Sequence, residues 1–262
     1  MTRTEAVFGG LLLACAAAIA LEAAKLKGRA PAPVPVPAPR ASQGAGADSV
    51  FNVPLERTAA ERMRRAAARA TLVNLRIADE QGATFIDDVL LQNDSVVRRW
   101  VATPNAPVRV WIQVPSSQAD FHPGYVDLVL RAFDTWSGID GMRVRFVRVD
   151  DSVSAAVRVV WTSRFADNRI GLTRIEAIND TIRMSRITIA TQRSEGAALL
   201  EHDIARCALH EVGHLLGLAH TADATSIMAA ESAQPMLSPR DRATARLLYA
   251  LPVGSIRSGA TR

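Results

Sequence analysis

The sequence predicts a mixed α/β domain of the α+β kind, a twisted sheet with helices packed on it. Three observations lead there. Hydrophobic residues make up 48% of the 262 positions, enough to fill a core and too many for a chain disordered throughout. After Pro107 the apolar spacing switches between the period of a strand and the period of a helix. The order that results is strand, helix, several strands, helix, loop, helix.

Taken in order, Val108, Val110, Ile112 and Val114 alternate with Arg109, Trp111 and Gln113, the pattern of a strand. Val126, Val129, Leu130, Phe133 and Trp136 recur at helical spacing and predict an amphipathic helix over 124–137. Residues 142–149, 155–161, 170–175 and 182–190 are short and read as four more strands. A long helix follows from about Leu199 to Leu216. The last helix starts near Ser238, where Ser238-Pro239-Arg240-Asp241 is a capping box with proline at the first helical position.

Before Pro107 the chain reads differently. Arg3 is followed by an apolar run from Val7 to Leu21, with Ala18 and Ala20 offering an A-x-A cleavage pattern. Fifteen helical residues span about 22 Å, short of a hydrocarbon core of about 30 Å. Residues 1–21 are therefore expected to be a signal peptide or an N-terminal membrane anchor, with lipidation at Cys15 a third reading. Residues 22–50 form a Pro/Ala-rich linker, whose Pro31–Pro39 stretch is a stiff polyproline II spacer. Residues 51–104 are expected to hold a helix over 55–77 and read as a prosegment, a spacer or an N-terminal part of the fold. Residues 105–252 are the expected catalytic domain and 253–262 a tail. Export permits disulfides, but removal of the leader leaves Cys207 alone.

The net charge of +5 raises nucleic-acid binding as a function class. Residues 1–42 carry five basic and two acidic groups, whereas residues 107–252 carry sixteen of each. The excess lies in the tails, so it lends no support to a basic patch on the domain. The expected partner is a protein or peptide substrate, with no nucleic acid, and a membrane only through a retained N-terminal segment.

The chemistry lies in His210-Glu211-Val212-Gly213-His214-Leu215-Leu216-Gly217-Leu218-Ala219-His220, of the form H-E-x-x-H-x-x-G-x-x-H. With 5 His, 10 Glu and 15 Gly in the chain, the short H-E-x-x-H form arises by accident about 0.004 times, and the full pattern about four times in a million. His210 and His214 stand four apart, so both rings leave one helical face. Two imidazoles so placed can share a zinc ion at about 2.0–2.1 Å. Glu211, about 100° further round the helix, reaches a water on the metal but not the metal. Gly217 can take the positive φ that ends the helix and turns the chain back, which brings His220 in as third ligand. Three neutral ligands leave one open position, where a bound water is acidified toward pH about 7. Glu211 then acts as general base and passes the proton to the leaving amine.

The extended motif is similar to that of the metzincin metallopeptidases. Ser226-Ile227-Met228 follows His220 by eight residues and resembles the clan's methionine turn, with Met228 a hydrophobic floor and not a ligand. Within the clan the chain is most similar to the matrixins, through Ala132-Phe133-x-x-Trp136, the Ser-Ile-Met turn and Leu237-Ser238-x-x-Asp241…Leu248-Tyr249. The resemblance covers residues 105–252. It implies a zincin fold with a mostly parallel sheet, an active-site helix, a second long helix and a small C-terminal helical subdomain. It also implies one catalytic zinc ion, while calcium stays open, and an edge strand, taken as 182–190, along which an extended substrate pairs. Departures are the lack of histidines for a second, structural zinc, with only His122 and His202 remaining, and the lack of a cysteine-switch motif. The pocket wall, Ala229–Leu237, does not match the animal enzymes, so substrate preference does not carry over.

Four further residues have local readings. Cys207 is read as packing, His202 as a surface or capping residue, and His122 as part of a turn. Asp223 is read either as an acceptor that orients His220 or as an ordinary loop residue. The expected function is an exported zinc-dependent endopeptidase. The alternative is a zinc-stabilised binding or adaptor protein whose peptidase site is unused.

Overall fold

The computed structural model describes residues 55–256, apart from 81, 102–104 and 119. The expected leader and proline linker lie outside the described residues, as do the last residues of the tail. The described part holds α1 (Leu55–Asp79), α2 (Ile86–Gln92), β1 (Val96–Val97), β2 (Val108–Ile112), α3 (Tyr125–Ser137) and β3 (Phe146–Arg148). It continues through β4 (Val157–Thr162), β5 (Gly171–Ile178), β6 (Thr181–Ala190), α4 (Glu201–Leu215), α5 (Pro239–Ala250) and β7 (Gly254–Ser255). Among these residues no helix is long and apolar enough to cross a membrane.

The main sheet has the order β3-β2-β4-β6-β5. β3, β2, β4 and β6 are parallel, and β5 runs antiparallel to β6 at the edge. This is the mixed α/β, mostly parallel arrangement expected. Alternation supplies the buried face: Val108, Val110 and Ile112 from β2, Val157, Val159 and Trp161 from β4, and Ile187 and Ile189 from β6 all face the core. β5 and β6 join through Asn179 and Asp180, both with positive φ, the two-residue turn whose twist matches a hairpin.

Helix α3 packs on α4, α3 meets β3, and α4 lies against β5 and β6. The pairing of the helices turns on Trp136, which is fully buried and donates from Nε1 to the carbonyl of Leu209 on α4 at 2.8 Å. α5 carries the expected capping box, with Ser238 Oγ accepting from Asp241 N and the Asp241 carboxylate accepting from Ser238 N.

Three expectations change. The strand expected over 142–149 is confined to 146–148. Met142 and Val144 are buried from the irregular stretch that precedes the strand, where the Arg145 guanidinium donates to the carbonyls of Ser137, Met142 and Val144. The strand over 182–190 is not at the edge, because β5 pairs along its outer side. Finally, the fold runs past 105–252 at both ends. Phe85, Ile86, Val89, Leu90, Val97 and Trp100 are buried in the same core as the sheet, and β1 pairs with β7 across Val96–Ser255 and Val97–Gly254. The helix expected over 55–77 forms as α1, and among its residues with described side chains Val73 and Ile77 join that core.

Trp100 is the largest of these N-terminal contributions, and its Nε1 donates to Leu215 O at the end of α4 at 2.9 Å. Trp100→Ala is expected to lower unfolding stability by about 3–5 kcal/mol. Urea denaturation of the two proteins measures it, and a loss below about 1 kcal/mol would contradict the core role of this segment.

Candidate functional site

Helix α4 brings His210, Glu211 and His214 to the surface of the sheet because its other face is apolar. Ile204, Ala208, Val212 and Leu215 are buried at helical spacing. The helix ends in a Schellman arrangement: Gly217 N donates to His214 O at 2.9 Å and Leu218 N to Gly213 O at 3.1 Å. Gly217 has φ +102°, and a Cβ there would also run into the backbone carbonyl of Arg98. Both the conformation and the space require glycine. The reversed chain then delivers His220.

The three Nε2 atoms converge. His220 Nε2 lies 3.2 Å from that of His210 and 3.1 Å from that of His214. Two nitrogens each about 2.05 Å from one zinc ion at the tetrahedral angle stand about 3.3 Å apart. The donor set therefore fits a small tetrahedral ion, and among the described residues this trio is the group that could hold a metal. The far nitrogens fix the two helical rings. His210 Nδ1 faces the carbonyl of Ile227 at 2.7 Å and His214 Nδ1 the carbonyl of Leu218 at 2.9 Å. A carbonyl accepts only from N–H, so each Nδ1 carries the proton and each Nε2 keeps its lone pair.

Burial sets the charge states. Desolvation holds all three rings below the ordinary imidazole value, His214 to about 3, with the neighbouring His210 adding to the shift. The same cause pushes the Glu211 carboxyl up to about 7, against the lowering pull of the Thr173 hydroxyl. Thr173 Oγ1, on β5, lies 2.6 Å from Glu211 Oε2.

Beneath the rings, Met228 is completely buried, and Gly213 has no room for a Cβ against its Sδ. The turn that carries Met228 is tied to α5 through Asp241. That buried carboxylate accepts from Ser226 Oγ, Ile227 N and Ser238 N, with the last two at 3.1 and 2.7 Å. The site opens on a cleft of about 1150 Å³, with Ile170 and the start of β5 from Gly171 to Thr173 on one side and Ala230–Ala233 on the other. The second wall is the stretch expected to form the pocket.

The remaining candidates resolve individually. Cys207 is buried and donates from Sγ to Ile170 O, which is packing. His202 is largely exposed beside Asp203, and His122 Nδ1 accepts from Gly124 N in a turn. Asp223 does not orient His220. Its carboxylate is taken up by Thr225 and Arg240. Thr173 escaped the sequence reading, because nothing in a strand residue announces contact with a helix thirty-eight positions away. Asp241 reads in the sequence as a capping residue alone, because its bonds to Ser226 and Ile227 join separate parts of the chain and leave no local signal.

The charge states carry a prediction. In Glu211→Gln, which removes the carboxyl raised to about 7, desolvation still holds the three rings below the ordinary imidazole value, so they are uncharged at pH 8 and take up protons at lower pH than exposed imidazoles do. Zinc affinity is expected to be nearly level from pH 8 toward neutrality and to fall on acidification later than it would for exposed imidazoles, as protons compete for the nitrogens. Titration calorimetry from pH 8 downward checks it. A steep fall beginning above pH 7 would mean that the rings are not desolvated.

Comparison with known proteins gives no match to any curated protein. The model of the matrixin family, peptidase family M10, matches residues 114–250, which is more than half of the chain and runs from α3 through α5. The chain therefore belongs to the matrixins, a family of zinc metallopeptidases.

Proposed function

We propose that the protein is an exported endopeptidase that cleaves peptide bonds within extended segments of its substrate. One observation carries the reading above the others: a convergent histidine trio and a buried carboxylate lie together in an open cleft beside the edge strand β5. His210, His214 and His220 would hold a zinc ion, which when bound would supply positive charge to acidify a water molecule and polarise a carbonyl. Among the described residues no strand pairs with the outer side of β5, an edge that suits a substrate strand and tolerates many side chains. Glu211 accepts a proton from the attacking water at its carboxylate and returns it to the leaving amine, which its near-neutral proton affinity favours in both directions. Thr173 holds that carboxylate toward the cleft, and Met228 packs beneath the rings without contributing a ligand atom. Residues 1–21 direct export, so the protein is secreted or held at the cell envelope by that segment. A binding or adaptor role for the same zinc site is the second reading, and an active wild type separates the two.

Digestion of an unfolded protein by the full chain, followed by mass spectrometry, tests the proposal beside Glu211→Ala. The wild type is expected to make internal cuts. The variant should keep its zinc and lose roughly 10²–10⁴-fold in rate. Equal turnover by both proteins would sink the mechanism, and a zinc-loaded wild type that makes no cuts would favour the adaptor reading.

A further inference from the structure

The two helical histidines are each held at Nδ1 by a backbone carbonyl. His220 has no such bond among the described residues, its side chain is exposed, and it sits on a loop beyond the helix. Its position therefore depends on how that loop is pinned. The pins come from a segment that precedes the stretch matched by the matrixin model. Gln92 Nε2 donates to the carbonyl of His220 at 2.7 Å. The hydroxyl of Thr221 donates to Asp88 Oδ2 at 2.6 Å. Thr221 N in turn donates to Met228 O, so the same short stretch is tied to the methionine turn. Upstream of the loop, Trp100 Nε1 holds Leu215 O, and the carbonyl of Arg98 lies where Gly217 lacks a side chain.

The segment has a rigid backing. Phe85, Ile86, Val89 and Leu90 are buried. Phe85 N donates to Thr244 Oγ1 at 3.0 Å, and Arg240 Nη2 donates to Thr84 O at 2.8 Å, so α2 is moored to α5. Helix α2 thus bridges α5 and the ligand loop.

We propose that residues 84–100 form a clamp on the third-ligand loop, with Asp88 and Gln92 as positioning residues that hold His220 ready for the metal. The proposal rests on the reading that His210, His214 and His220 hold zinc. Its physical basis is preorganisation. A loop fixed before the ion arrives loses little freedom on binding, whereas a loose one must be ordered by the metal itself. It also gives the segment a role that a removable prosegment cannot have, because cleavage between Thr84 and Trp100 would free the loop.

The test is zinc affinity, measured in the full chain by competition with a chromogenic chelator, with metal-free melting recorded alongside. Gln92→Ala is the first variant, because Gln92 is exposed and its loss leaves the core intact. It and Asp88→Ala are each expected to weaken zinc binding about 10-fold, the scale typical of groups that orient ligands. Gln92→Ala should do so with its metal-free melting midpoint unchanged. Thr221→Val should weaken binding as Asp88→Ala does and add nothing to it in the double variant, whereas Thr221→Ser should restore it. His220→Ala is the control. Wild-type affinity in both Gln92→Ala and Thr221→Val, with binding lost in His220→Ala, would overturn the clamp and spare the metal site. A wild type that binds no zinc, or a His220→Ala that binds as the wild type does, would overturn the metal reading and the clamp with it.

Discussion

Two of the three metal-seeking rings cost the fold nothing beyond a helix, but the third must be brought back from outside it. That asymmetry organises the molecule. A helix repeats every 3.6 residues, so His210 and His214 share a face automatically. No straight continuation of α4 can present a ring from the opposite side of the same ion. The chain must reverse within a few residues, which demands positive φ at Gly217 and space beside the Arg98 carbonyl. The N-terminal segment, the methionine turn and α5 all bear on that reversal.

A buried carboxylate needs donors for its oxygens, and near the reversal they come from separate segments. Asp241 is the clearest case. It is completely buried, and it accepts from two backbone amides and a serine hydroxyl that belong to different parts of the chain. A carboxylate with its acceptors filled from both the turn and the helix start fixes the distance between them. Met228 then has a defined height under the rings, and the glycine at 213 lets it approach closely.

The same desolvation shapes both halves of the chemistry. It keeps the imidazoles neutral, the state a metal ion needs, and it raises the proton affinity of the Glu211 carboxyl. Opposite shifts on the two residue types follow from one cause, since burial penalises whichever form is charged. Thr173 moderates the second shift and also orients the carboxylate.

Local pattern alone determined a good deal here. The helical spacing of His210, Glu211 and His214, the glycine that ends the helix, the capping box at Ser238 and the alternation in β2 are all properties of neighbouring residues, and all are legible without coordinates. What stayed hidden was whatever depends on which distant segments meet. Periodicity marks a strand but carries no information on its neighbours, so nothing in the sequence could tell whether the edge strand implied by the family resemblance is 182–190 or β5, which holds that place. The sequence likewise reads as a full strand over 142–149, where an irregular stretch whose carbonyls accept from Arg145 precedes β3. Residues 84–100 carry no motif, and their bonds to His220 and Thr221 span 128 and 133 positions. Contacts at such separations are created by the packing of the whole core, and only the tertiary structure decides them.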